Sequence, residues 1–433
     1  MSPLPTIIAT VALCAWSPAT ACLWDSDTIS QEATGKLEVI ETAVGWFDRF
    51  PPLYYQMRLD RVSAEIENTP QKLELYDDAA VACDRLGKQD DAIVWMDRKQ
   101  AQMKSIPEAT LATHRYRHLA NLGTFHAHRW IKTPKRNQDQ TDLDQAIKLI
   151  KEAITTNPEA HFGREVAQLA ILEWLKESLR PHKTLEDSAS LTRSIDEGVI
   201  MFGEEHTQVD LSKALCGLVQ MGAAWDSIDV FIWLAKSEQI QFGSYSRSPN
   251  TSLAELILWR ITELAAKGGT TISGHGMIKE IRFGPNPSAT SKPQPVAIKE
   301  ADLWNDYRAL KRYMIRSALR TGSAEIANFF KSARSAADRR HEARTQFIMN
   351  RLQSGQHPDT DAAFWNGWIE PTIPKLPAIG PWERILGPTV AGHLNEKTRF
   401  ILFLATNGVF GLLLFWILRR LQRMRRNTRR TND

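Results

Sequence analysis

Apolar residues recur along most of this chain at spacings of three and four, the period of a helix with one buried face. In residues 143–158, LDQAIKLIKEAITTNP, the positions Ala146, Ile147, Ile150, Ala153 and Ile154 fall on one stripe. Asn157-Pro158 ends that helix, because proline cannot continue it. The same reasoning predicts helices over residues 31–50 and 52–68, joined at Pro51-Pro52. Residues 71–103 read as two helices broken at Gly87, and residues 110–131 and 143–156 as a pair separated by the polar insertion 132–141. Further helices are predicted over 161–179, 184–202, 209–221, 225–239 and 252–266, the last stopped by Gly268-Gly269.

The pattern changes at residue 267. Residues 267–298 read as a loop, with either a small β-hairpin or an ordered turn over 270–283, followed by a linker rich in proline and serine. Residues 299–356 predict a helical hairpin with Thr321-Gly322 at its turn. Residues 357–399, with Pro371, Pro374, Pro377, Pro381 and Pro388, read as an extended juxtamembrane stalk.

Two stretches share a finer spacing. Tyr76, Ala80, Gly87, Ala92 and Met96 in the first, and Ala146, Ile150, Ala153 and Pro158 in the second, stand where small residues let paired helices approach and a proline closes the unit. This spacing resembles the tetratricopeptide repeat family, specifically over residues 71–158 and diffusely to about residue 266, and with the two chain ends described below the chain resembles an exported, membrane-anchored bacterial protein of that kind. The resemblance implies an all-α fold over residues 22–266, a right-handed α-solenoid of helical hairpins. It also implies a protein or peptide partner in the concave groove, with no cofactor and no chemistry of the chain's own. Ala92 and Ala146 are 54 positions apart, against the family's period of about 34, so the repeats are degenerate.

Charge and hydropathy at the two ends change the picture from a soluble repeat protein to a tethered one. Residues 1–21 carry a short apolar run, 7–16, and the small residues Ala19-Thr20-Ala21 of an export-signal cleavage site, which leaves Cys22 first. Near the other end, residues 400–418 run from Phe400 to Leu418 without a charge, and Asn407 is the one strongly polar side chain. Nineteen residues at a helical rise span roughly 28 Å, about the hydrocarbon thickness of a bilayer. Arg419, Arg420, Arg423, Arg425 and Arg426 follow at once, and the excess of positive charge assigns residues 419–433 to the cytoplasm and the body to the opposite side, periplasmic or extracellular. That tail carries +6 of the chain's net +4, which leaves −2 on everything before it. A body with that balance has no electrostatic case for nucleic acid.

Candidate chemistry is sparse. Cys83 and Cys216 lie on apolar helical stripes and read as small buried hydrophobes. His114, His118, His126 and His128 cluster on one helix, and His114 and His118 share a face, but arginines surround them and no H-E-x-x-H run is present. Of the 14 tryptophans, Trp95, Trp174, Trp225, Trp233 and Trp259 fall in predicted helices and read mainly as core. Residues 23–28, LWDSDT, are a short polar-aromatic lead-in. The preferred reading is a non-enzymatic scaffold. An envelope enzyme or small-ligand receptor with its site near His114 and His118 is the alternative, and a structural envelope spacer is a third.

Overall fold

A computed structural model describes residues 23–28, 38–134, 136–157, 163–179, 211–222, 224–240, 251–272 and 324–374. Among these, every regular element is a helix, as the hydrophobic period predicts. Contacts divide the chain into two compact units, and every side-chain contact given below lies within the one formed by Met1–Ser317 and Asn328–Pro374.

The first helix, α1 (Val39–Val44), is far shorter than the predicted span to residue 50. Gly45 stops it. With φ at 75°, this residue lets its own N–H reach Thr42 O and the Trp46 N–H reach Glu41 O, which closes the helix end and turns the chain. Pro52 occupies the first turn of α2 (Pro52–Asn68), where its missing N–H costs nothing. Then come α3 (Leu73–Arg85), α4 (Gln89–Met103), a short 3-10 turn at Glu108–Thr110, α5 (Ala112–Lys132) and α6 (Thr141–Thr156). Four more precede the linker region: α7 (Arg164–Ser178), α8 (Leu211–Gln220), α9 (Ile228–Ile240) and α10 (Thr251–Ala266). The last described helix is α11 (Ala324–Gln353).

Each helix from α2 to α9 packs on its successor, and α3 also touches α5, so amphipathic helices stack in layers along the chain. The chain does not simply run on, because α1 packs against α8 and α10. Tyr76, Ala80, Ala92 and Met96 are buried in one cluster with Val62, Ile66 and Phe125; Ala146, Ile150 and Ala153 are fully buried on α6. Gly87 takes φ 81° between α3 and α4. At the α5–α6 crossing the closest approach is at Gly123, where a Cβ would lie 3.0 Å from Ile150 Cδ1 and 3.2 Å from Leu149 Cβ.

Two boundaries move. Trp225 sits in the turn before α9 rather than inside it, buried all the same. Residues 357–370 do not belong to the expected proline-rich stalk, since the turns after α11 are part of the folded body; residues 375–399 lie outside the described residues. Phe364 is fully buried with Tyr54, Tyr55, Ala82, Ile348 and Leu352, and the His357 ring stacks on Tyr54 at 4.6 Å. Aromatic residues between the prolines make this possible: Trp365 stacks on Phe347, with the Arg344 guanidinium 4.2 Å over the indole.

No described helix is long and apolar enough to cross a membrane. The expected span 400–418, the arginine tail, the export signal, the helices at 184–202 and 299–320, Pro158 and most of the 267–298 segment lie outside the described residues.

Candidate functional site

The lead-in segment 23–28 lies inside the helical body. Leu23 has no exposed surface, and Trp24, Asp25 and Thr28 each expose 4%. Its local shape follows from two side chains. Asp25 Oδ1 accepts the Thr28 N–H at 2.9 Å, and Thr28 Oγ1 accepts the Asp25 N–H at 2.9 Å, a reciprocal cap that closes one helical turn over 26–28. Leu23 and Trp24, before that turn, carry no regular secondary structure.

Asn121 of α5 holds Trp24 by its backbone. Its Oδ1 accepts the Trp24 N–H at 2.8 Å, and its Nδ2 donates to the Trp24 carbonyl at 3.0 Å. The amide orientation is set from behind, because Nδ2 also donates to Asp77 Oδ1 at 3.1 Å. Asp77 in turn takes two hydrogen bonds, 2.7 and 2.6 Å, from the fully buried Lys99 ammonium of α4. Burial lowers the Lys99 pKa although Asp77 opposes the change.

The Trp24 indole is held on all sides. Tyr116 meets it edge to face at 5.6 Å, Nε1 donates to Glu165 Oε1 at 3.3 Å, and the guanidinium groups of Arg117 and Arg164 lie 5.4 and 5.5 Å from the ring centroid. Arg164 Nη2 also donates to the Leu23 carbonyl at 3.4 Å.

The two carboxylates of the segment meet Arg58 of α2, a side chain with no exposed surface. Arg58 donates to Asp27 at 2.7 and 2.9 Å and to Asp25 at 3.3 Å. Burial alone would lower its pKa, but Asp27 and Asp359 raise it well above the ordinary value. Tyr54 O–H donates to Asp27, and Asp78 of α3 accepts both the N–H and the O–H of Ser26, at 2.8 to 2.9 Å. Carboxylates outnumber cations here. Burial and then Asp27 raise the Asp25 pKa, and burial and then Asp25 push Asp78 up to about 7. Beside the segment a small cleft, with little more room than a water molecule, is lined by Asp25, Asp27, Asp48, Arg85 and Trp225 among others.

The histidines do not converge. His126 Nδ1 pairs with Asp142 at 2.7 Å, and His128 Nδ1 with Asp84 at 2.8 Å. His114 lies 3.6 Å from Glu74, and His118 is buried, its pKa pushed down to about 4 by burial and then Lys99. No group of three or more His, Cys, Asp or Glu among the described residues is placed to hold a metal ion. Cys83 and Cys216 are buried on α3 and α8, and burial pushes the Cys83 thiol up to about 12.

Compared with protein-family models, curated proteins and solved structures, the chain matches none. The residues that build this site carry no motif spacing. Two signals for it are nevertheless present: the D-x-x-T cap of residues 25–28, and three aspartates, Asp77, Asp78 and Asp84, on an alanine-rich helix that is buried on every side.

Proposed function

We propose that this protein is a membrane-anchored interaction scaffold, whose helical body, built of degenerate tetratricopeptide-like hairpins, takes a protein or peptide partner in its groove. Residues 400–418 anchor it by a single pass, with the body periplasmic or extracellular and the arginine tail cytoplasmic. The observation that supports this reading is the grip of Asn121 on both backbone groups of Trp24. A side-chain amide that pairs with a peptide N–H and C=O holds an extended chain whatever its side chains, and flanking pockets then select the sequence. The buried Lys99–Asp77 pair keeps that amide pre-organised, which lowers the entropy cost of binding.

Affinity capture from crosslinked, detergent-solubilised membranes tests it, with a control lacking residues 400–418. The expected result is one partner in stoichiometric yield, and recovery of the full chain, but not the control, in the membrane fraction. Recovery of membrane background alone, or protease sensitivity of the body from the cytoplasmic side, overturns the scaffold.

A further inference from the structure

We infer that residues 23–28 are an intramolecular peptide ligand, and that the groove between α2, α3, α5 and α7 is a binding site for peptides carrying a Leu-Trp-Asp-x-Asp pattern. The inference rests on the scaffold reading and names the class of ligand its groove takes.

Three separate devices read three features of the segment. Asn121 reads backbone, with both bonds directed at one residue. The Tyr116, Arg117, Arg164 and Glu165 enclosure reads an indole: two guanidiniums lie over or beside the ring, and a carboxylate accepts its only N–H. Arg58 reads two carboxylates spaced two residues apart, with hydrogen bonds to Asp25 and Asp27 from one buried guanidinium. Leu23 completes the pattern in an apolar seat formed with Val62, Ile66, Ala79 and Phe125. Any buried segment needs partners for its backbone; what marks this one is that a single side-chain amide supplies both partners of one residue.

The arrangement places the groove's own ligand beside it on the same chain. Intramolecular attachment raises the effective concentration of the segment to the millimolar range, so the site is occupied in cis until a peptide of the same chemistry outcompetes it. The expected removal of residues 1–21 leaves the segment at a free end, able to leave without threading. Protonation adds a bias of known sign. The groups facing Asp78 and Asp25 are Ser26, Thr28, Asp27, Arg58 and Arg85, and the excess carboxylate among them favours the docked state in mildly acidic medium.

The test uses the full chain in detergent, with a site-specific protease sequence in place of residues 31–36. Uncut and cut molecules are isolated and titrated with fluorescently labelled peptide LWDSDT, followed by anisotropy, with circular dichroism recording helix content. The expected result is saturable uptake by the cut chain, little by the uncut chain, and retained helicity. Peptides with Trp24→Ala, or with Asp25→Asn and Asp27→Asn together, should bind about thirtyfold more weakly. Because those substitutions sit in the peptide, no variant of the body has to fold. Loss of helicity on release of the segment, absence of exchange in the cut chain, equal uptake by uncut chain, or equal binding of all peptides overturns the inference. Peptide exchange without any captured partner would sink the scaffold and leave the ligand class standing, and capture of a partner without exchange would do the reverse.

Discussion

Arg58 and Asp359, 301 positions apart in the chain, are joined by two hydrogen bonds of 2.8 and 2.5 Å. The same guanidinium reaches Asp25 and Asp27, so one side chain ties the lead-in segment, α2 and the turns after α11 together. Arg58→Ala removes the cation and leaves three carboxylates, two of them mostly buried, facing one another. A loss of about 3–5 kcal/mol is expected in urea unfolding. Arg58→Ala combined with Asp359→Asn should recover part of it, and a double-mutant cycle without coupling would refute the pairing.

Asn121→Ala should strip Trp24 of both backbone partners and leave Asp77 with one donor fewer. Three buried hydrogen bonds lost this way cost about 2–5 kcal/mol. Trp24 should gain solvent exposure, read as a red shift of its fluorescence. Asn121→Asp is expected to be worse, since it loses the donor to the Trp24 carbonyl and sets a second carboxylate against Asp77.

Acid should act on this protein through two groups of opposite sign. His118 has a folded pKa of about 4, below its unfolded value of 6.5, so its contribution is complete above 6.5 and is lost as pH falls towards 4. His118→Gln should remove up to about 3 kcal/mol of that loss. Asp78 holds its proton to about 7 in the folded chain and to 3.8 unfolded, so stability falls as pH rises through that window. Asp78→Asn should therefore gain on the parent chain as pH rises from 4 to 7, whereas His118→Gln gains as pH falls. Urea midpoints at three or four pH values distinguish the two slopes.

Gly123→Ala raises helix propensity by about 1 kcal/mol, yet the new methyl would lie 3.0 Å from two Ile150 carbons. Overpacking wins, because Leu149 Cβ, 3.2 Å away, is fixed by the α6 backbone. We expect a net loss of about 1 kcal/mol. Adding Ile150→Val should be less damaging in the alanine background than in the glycine one, measured as coupling in a thermal-unfolding cycle.

Helix positions were legible in the sequence because each depends on its own residues. The α2 bounds follow from Pro52 and the apolar period, and α3 and α4 divide at Gly87 because no other residue takes φ 81° so readily. The α1 limit was hidden, since Gly45 lies inside an apolar run and its left-handed turn competes with a helix that periodicity alone would extend. Residues 357–370 were hidden for a different reason. Pro358 and the turns around it look like a linker, and what makes these residues core is the aromatic surface of α2, which is brought to them from 300 positions away.

The same division separates the two halves of the site. Local interactions over a few residues settle the cap in residues 25–28, the helical stripes and the burial of Cys83 and Cys216, and these can be read in order along the chain. The pairing of Asn121 with Trp24, of Arg58 with Asp27 and Asp359, and the separation of the four histidines depend on which helix faces meet. Those contacts join residues 31 to 301 positions apart, and no spacing in the sequence encodes them. Only packing decides them, because a buried charge or amide is tolerated where its partner arrives and nowhere else.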